Sequence, residues 1–297
     1  MKRLAALAFA LLVPMLASAQ YNSYRNFDAG TAPSYEGLWW NSGESGWGLS
    51  VAHQGDVIFA VWYTFDRDGS PTWFVMPNAQ LMGEDMGDMT GMGDMEMMMG
   101  MSVNPPIFTG ALYRPSMLNG KLVMTEVGLG TLMFKAKEDA VFAYTVGSVA
   151  GSKKISKMIY APEGQSCALG GAKGATDNYQ DLWFNPADNG WGVNIAHQGN
   201  IIFGTYFTYD STGKNEWYVV PDAMKTGAAA YAGTLARATG PAYDAAWDAS
   251  KVHVEAVGSG TFRFDAPGAS FNAVRGGVVQ TRSMQRMQFA APATVCR

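Results

Sequence analysis

The sequence has few charged residues, and its basic residues are dispersed along the chain. Asp, Glu, Lys and Arg make up 15% of the residues, against about 25% in an average globular protein. The formal net charge is −4, whereas proteins that bind nucleic acid or anionic membrane surfaces carry a basic patch. The sequence therefore predicts that nucleic acid is not a partner.

Long apolar runs and amphipathic helices are also scarce. A membrane-spanning helix needs roughly 20 successive apolar residues, and no run after the first twenty residues of this chain is long enough. We therefore expect no transmembrane segment and a soluble mature chain. Residues 242–251 form the one weak candidate for a helix.

Motifs of catalysis are missing from the sequence as well. We find no nucleophile elbow, phosphate-binding loop, zinc motif or pair of catalytic carboxylates. The sequence therefore predicts a protein that is not an enzyme, with no catalytic residues to name.

The first twenty residues have the order of a secretory signal peptide. Lys2 and Arg3 precede an apolar run over 4–16, and Ala17, Ser18 and Ala19 follow it. This pattern predicts cleavage after residue 19 and a secreted chain, either periplasmic or extracellular. Loss of the two basic residues changes the net charge to about −6.

The chain contains only two cysteines, Cys167 and Cys296. In an oxidising compartment such a pair favours a disulfide over two free thiols. A bond between them would tie the middle of the chain to its C-terminal region.

An internal duplication is the main clue to the architecture. Residues 37–77 align without gaps with residues 181–221, and roughly 18 of these 41 positions are identical. The likeness continues further along both copies, and each copy ends close to one cysteine. We predict a signal peptide at 1–19, an N-terminal segment at 20–34, module 1 at 35–163, a linker at 164–178 and module 2 at 179–297.

Each copy shows the alternation of short antiparallel strands. Residues 47–54 alternate between two faces with period two, a turn containing Gly55 follows, and 57–65 alternate again, which predicts a hairpin. Counting onward gives about eight strands per copy. We predict an all-β protein of two tandem antiparallel meanders, each an eight-stranded up-and-down barrel, with a β-sandwich as the alternative.

The shared motif resembles a known sequence module. The combination of Leu-Trp-Trp-Asn, Gly-Trp-Gly and Ala-His-Gln-Gly with a later Trp is similar to a tandem-repeat module of secreted proteobacterial proteins, largely without assigned function. The likeness covers most of the mature chain. The meander also resembles avidin-like and lipocalin-like barrels in architecture, which carries no ligand-site residue over to this sequence.

The most unusual segment is the methionine-rich run at 82–101, which has no counterpart in the second copy. It contains nine Met, five Gly, five acidic residues and one Thr. Thioether sulfur is a soft ligand that suits Cu(I) or Ag(I), and carboxylates attract cations. The predicted metal ligands are Met82, Met86, Met89, Met92, Met95, Met97, Met98, Met99, Met101, Asp85, Asp88, Asp94 and Glu96.

Two other interpretations of this segment remain open. It could be a solvated low-complexity loop, or an adaptable contact surface for a protein partner. The metal hypothesis makes copper, as Cu(I), the expected cofactor.

The duplicated aromatic, histidine and glutamine side chains form a second candidate site. One hypothesis is that they line a barrel mouth and stack on a glycan or other small ligand. The alternative is that the tryptophans pack in the core, while each histidine is a hydrogen-bonded structural residue and each glutamine holds a turn. The residues are Trp39, Trp47, His53, Gln54, Trp73, Trp183, Trp191, His197, Gln198 and Trp217.

These observations predict a secreted binding protein that captures a soft metal through its methionine-rich segment. The alternative function is a secreted interaction or adhesion protein that binds glycan, a small ligand or a protein through the duplicated surface.

Overall fold

A computed structural model describes residues 32–82, 105–162, 164–170 and 177–297. Over these residues the protein consists of β-strands and turns and contains no α-helix. Each copy of the repeat forms a closed barrel of eight antiparallel strands, so the predicted all-β fold and the barrel architecture are confirmed.

Barrel 1 is a meander of eight strands in which each strand pairs with the next, and the first pairs with the last to close the barrel. Its strands are β2 Gly37–Trp40, β3 Gly48–Gln54, β4 Val57–Phe65, β5 Pro71–Leu81, β6 Ile107–Leu118, β7 Lys121–Phe134, β8 Asp139–Val146 and β9 Val149–Lys157. The predicted hairpin at Gly55 is the connection between β3 and β4.

Barrel 2 repeats this topology, and its first strand likewise pairs with its last to close the barrel. Its strands are β11 Asp181–Phe184, β12 Gly192–Gln198, β13 Ile201–Tyr209, β14 Asn215–Gly227, β15 Ala230–Thr239, β16 His253–Asp265, β17 Gly268–Arg275 and β18 Val278–Arg286. The candidate helix at 242–251 is instead an irregular connection that ends in one 3-10 turn, Ala249–Lys251.

The connections between successive strands alternate between the two ends of each barrel. We call the end that carries the connections 41–47, 66–70, 119–120 and 147–148 the mouth of barrel 1, and the opposite end its base. The mouth of barrel 2 carries the corresponding connections 185–191, 210–214, 240–252 and 276–277.

Strands β3 and β12 are buried along their whole length on both faces. Leu49 and Val51 of β3 point into the core of barrel 1, whereas Ala196 of β12 belongs to an apolar cluster shared by both barrels. One face of each strand therefore packs inside its own barrel and the other face packs toward the neighbouring barrel. This explains why small residues occupy the outer face.

The contact between the barrels is reciprocal. The indole N–H of Trp73 donates to the carbonyl oxygen of Thr208 in barrel 2 (3.4 Å), and that of Trp217 donates to the carbonyl oxygen of Thr64 in barrel 1 (2.8 Å). Equivalent residues of the repeat thus make equivalent contacts in opposite directions. The buried residues of the shared cluster are Leu38, Val61, Tyr63, Phe65, Trp73, Val75, Ala196, Phe207, Trp217 and Ala238.

Gln54 and Gln198 form a second reciprocal contact, which we call the glutamine clamps. The amide of Gln54 donates to Met287 O (2.9 Å), and its oxygen accepts from the backbone N–H groups of Phe289 (2.9 Å) and Ala290 (3.0 Å). Each clamp therefore holds the segment that follows the last strand of the other barrel. In the opposite direction Gln198 binds Met158 O, Tyr160 N and Ala161 N.

A small three-stranded sheet joins the start, middle and end of the described chain. Strand β10 (Cys167–Leu169) pairs with β1 (Ala32–Pro33) on one side and with β19 (Thr294–Cys296) on the other. The predicted disulfide between Cys167 and Cys296 links β10 to β19. The segment predicted as a linker at 164–178 thus contributes a strand of its own.

Replacement of Gln54 by Ala should destabilise the protein by about 2–4 kcal/mol, because three backbone groups lose a partner in a buried setting. Gln198→Ala should cost a similar amount, since its three bonds mirror those of Gln54. The measurement is the free energy of unfolding from urea titration.

Gln288→Ala is the matched control, because Gln288 lies in the segment held by the Gln54 clamp but is itself exposed. We expect a change below about 0.5 kcal/mol for the control. Equal effects of the Gln54 and Gln288 substitutions would contradict the clamp.

Candidate functional sites

The duplicated tryptophans lie in the protein interior. Trp39 and Trp183 are in the barrel cores, as are Trp47 and Trp191 near the mouths. Trp73 and Trp217 lie between the barrels. None of the six side chains is more than 7% exposed, so in this conformation they pack against protein rather than line an open cavity.

The two duplicated histidines, His53 and His197, have both ring nitrogens engaged. His197 Nδ1 accepts a hydrogen bond from Tyr179 N (2.9 Å), so the proton of the neutral ring is on Nε2. That nitrogen lies 3.0 Å from Gly199 O, to which it donates, and 3.1 Å from the Tyr231 hydroxyl. His53 Nδ1 accepts from Tyr35 N at 3.2 Å in the same way. Neither ring offers a free lone pair to a metal ion.

Burial keeps both histidines neutral. Loss of hydration disfavours the imidazolium form and lowers the pKa of His53 to about 3, and the positive charge of Lys157 acts in the same direction. The same desolvation lowers the pKa of His197 to about 4. The hydrogen bonds to the Gly55 and Gly199 carbonyls oppose these shifts but do not cancel them.

The base of each barrel contains an aromatic stack that the sequence pattern did not indicate. The ring of Tyr35 lies 3.9 Å from that of Phe134 and 5.4 Å from His53. Tyr179 makes the equivalent stack with Phe264 (3.7 Å) and His197 (5.5 Å). Both tyrosines lie just before the gapless block of the repeat. The sequence did offer one signal for these tyrosines, because each lies four residues before a duplicated tryptophan. The indoles of Trp39 and Trp183 donate to the carbonyl oxygens of Tyr35 and Tyr179.

Each barrel mouth contains a tryptophan, a carboxylate and a cation in contact. In barrel 1 the indole N–H of Trp47 donates to Glu44 (3.1 Å), and Lys153 Nζ lies 2.5 Å from the same carboxylate and 4.9 Å from the Trp47 ring centre. The sequence pattern did not indicate Glu44 and Lys153 as parts of a site. Lys153 occupies the position that Arg282 has in barrel 2.

In barrel 2 the same arrangement uses different charged residues. Trp191 donates to Asp188 (2.9 Å), and Arg282 binds that carboxylate (2.8 Å) and stacks over the Trp191 ring at 5.0 Å. The cation on each Trp ring adds a favourable cation–π interaction. The two mouths thus conserve a chemical arrangement rather than residue identity.

The predicted metal segment lies almost wholly outside the described residues. Met82, the first of the predicted ligands, is described and is 42% exposed. The others, in 85–101, fall within the range 83–104 that the structure does not describe. In the part of the chain that is described, no three His, Cys, Asp or Glu side chains group as they would around a metal ion.

Comparisons with known proteins leave the chain without an assigned relative. No family model, no curated protein and no solved structure gives a significant match. The described residues include no helix that is long and apolar enough to cross a membrane.

The neutral histidines predict that the protein loses stability in mild acid. Because the pKa of each is lowered on folding, the unfolded chain binds protons below pH 6.5 that the folded protein does not. Stability should therefore fall as the pH drops from about 6.5 toward 4, by about 2 kcal/mol per histidine at pH 5. Urea titrations at pH 7.5 and pH 5.0 measure this.

His53→Gln should reduce the difference between the two pH values by about 2 kcal/mol. His253→Gln serves as the control, since His253 is exposed at the start of β16, and it should leave the difference unchanged. An unaltered pH dependence in the His53 variant would show that this ring is not the titrating group.

Proposed function

We propose that the protein is a secreted binding protein that captures a soft monovalent metal ion, Cu(I) or Ag(I), through the methionine-rich segment at 82–101. The observation that carries the proposal is that this segment is an addition to a barrel that is already complete. Its composition is therefore not required by the fold.

The described residues on either side of the insertion support the statement that barrel 1 is complete without the inserted segment. Leu81 N donates to Asp56 O (2.9 Å), and Met82 N donates to Ile107 O (2.7 Å), so the backbone is paired on either side of the inserted residues. In barrel 2 the same connection, between Gly227 and Ala230, needs only two residues. The insertion is thus anchored at the base of barrel 1, at both ends, on paired strands.

The chemistry of the insertion favours a soft cation. Thioether sulfur does not protonate at biological pH and binds Cu(I) and Ag(I) in preference to Zn(II) or Ca(II). Methionines separated by two residues, on a glycine-rich backbone, allow several sulfurs to approach one ion. The acidic residues between them add an attraction for cations that does not depend on the ion's softness.

The disulfide supports a compartment outside the cytosol. A bond such as that between Cys167 and Cys296 persists where the environment is oxidising. Together with the N-terminal sequence pattern, it favours the periplasm or the cell exterior.

The alternative function, recognition of a glycan or partner through the duplicated Trp, His and Gln side chains, has less support. All ten of these residues are buried, and their polar atoms make the contacts described above.

Replacement of the eight methionines in 86–101 by leucine should weaken Cu(I) binding by at least about 100-fold, because the thioether ligands are removed while length and apolar character are kept. Competition with a coloured Cu(I) chelator, under reducing conditions, measures the affinity. Thermal unfolding without metal should be unchanged, since the barrel does not need the segment.

The matched control replaces Asp85, Asp88 and Asp94 by Asn and Glu96 by Gln. Loss of charge alone should weaken Cu(I) binding by less than about 10-fold. The proposal fails if a variant lacking 83–101 binds Cu(I) as tightly as the intact protein.

A further inference from the structure

The two barrel mouths differ in how they are covered, and this difference points to a second binding site. Between β15 and β16 the chain makes a long connection, 240–252, that extends across to the mouth of barrel 1. Its counterpart in the first copy, between β6 and β7, is the tight turn of Asn119 and Gly120. Only one of the two mouths therefore receives a cap from this connection.

The cap over barrel 1 is made by two aromatic residues. Tyr243 is buried, with its ring 5.3 Å from Phe74 and 5.9 Å from Trp62. Its carbonyl oxygen accepts a hydrogen bond from the Tyr144 hydroxyl (3.0 Å). Trp247 lies 6.3 Å from Trp47 and completes the cover. Tyr243 and Trp247 thus cover the mouth of barrel 1 with aromatic side chains.

The strand registers show what occupies the corresponding positions in barrel 2. The pairs Trp62–Phe74 and Tyr206–Tyr218 are equivalent, as are the pairs Tyr144–Gly151 and Ala273–Gln280. The last residues of β8 and β17 are Val146 and Arg275. At these five positions barrel 1 has Trp, Phe, Tyr, Gly and Val, whereas barrel 2 has Tyr, Tyr, Ala, Gln and Arg, so the mouth without this cap has an additional amide and an additional guanidinium group.

Three arginines converge on this mouth of barrel 2. Arg275 stacks over the Tyr218 ring at 5.1 Å and bonds its hydroxyl. Arg282 donates to the Tyr206 hydroxyl (3.3 Å), which itself donates to Gln280 (3.1 Å). Arg237 binds Glu216 at 3.0 Å.

The three guanidinium groups of this mouth share two carboxylates, Glu216 and Asp188, as their ion-pair partners. Arg275 is the group with the weakest ion pair, because its distance to Glu216 is 4.0 Å and its side chain is 57% exposed. Each guanidinium carries five N–H donors, more than the bonds to its described neighbours use.

We propose that the mouth of barrel 2 binds a small organic or inorganic oxyanion, a carboxylate or a phosphate, through Arg275 and Arg282. The planar guanidinium group matches such an anion with two parallel hydrogen bonds. The hydroxyls of Tyr206 and Tyr218 already donate to Gln280 and Glu216, so the arginines supply the N–H donors, and the carbon skeleton of an organic ligand would lie against the tyrosine rings.

This site is independent of the metal proposal. It uses the mouth of barrel 2, whereas the methionine-rich segment emerges at the base of barrel 1. Failure of one proposal therefore leaves the other unaffected, since the ligands have opposite charge and the variants do not overlap.

The test uses the full chain with its disulfide intact and titrates it with inorganic phosphate and, separately, with glucuronate, while glucose serves as the uncharged control. The readout is the indole N–H resonance of Trp191, which donates to Asp188 beneath Arg282, assigned by its loss in Trp191→Phe. We expect a saturable shift with at least one oxyanion and none with glucose, and the two oxyanion titrations distinguish phosphate from carboxylate recognition.

Arg275→Gln should weaken this binding by at least about tenfold, because it removes a charge-assisted donor. Arg263→Gln is the matched control, an exposed arginine on β16 away from this mouth, and should bind as the unmodified protein does. The proposal is overturned if neither oxyanion gives a saturable shift, or if the Arg275 and Arg263 variants bind equally well.

Discussion

The architecture depends on the mutual burial of two equivalent surfaces. Each barrel covers the outer face of the other's second strand, and each supplies a tryptophan and a glutamine that bond to the other's backbone. Because polar groups buried in this contact would be costly without partners, the duplicated polar residues hold the modules in one relative orientation. These tryptophan and glutamine positions of the shared motif are therefore residues that form the contact between the two barrels.

Local patterns were sufficient to predict the repeat, the eight strands of each copy and the cysteine pair, because alternation, turn residues and composition act over short distances. They could not reveal the role of Gln54, whose partners Phe289 and Ala290 are more than 230 residues away. The sequence pattern failed to indicate Arg275 as a site residue for another reason. Its counterpart is Val146. Because the candidate residues were chosen from positions that the two copies share, a position where the copies differ was not considered.

Divergence has occurred at opposite ends of the two barrels. The first copy gained residues in the connection after β5, and the second gained the connection 240–252, whose aromatic residues cover its neighbour. The two barrels therefore differ at the base, where the first copy carries the insertion, and at the mouth, where the second copy carries the long connection. The strand topology stayed the same in both copies while the connections changed, as expected because loops tolerate changes of length better than paired strands do.

The disulfide also determines how the molecule responds to mechanical tension. All strands of barrel 2 lie between Cys167 and Cys296 in sequence, so the covalent link bypasses the whole barrel. A pulling force applied between residue 32 and residue 297 would be transmitted through barrel 1 and then across the sulfur bridge. Barrel 2 would bear none of this force while its neighbour was being unravelled, for as long as the bridge remained oxidised.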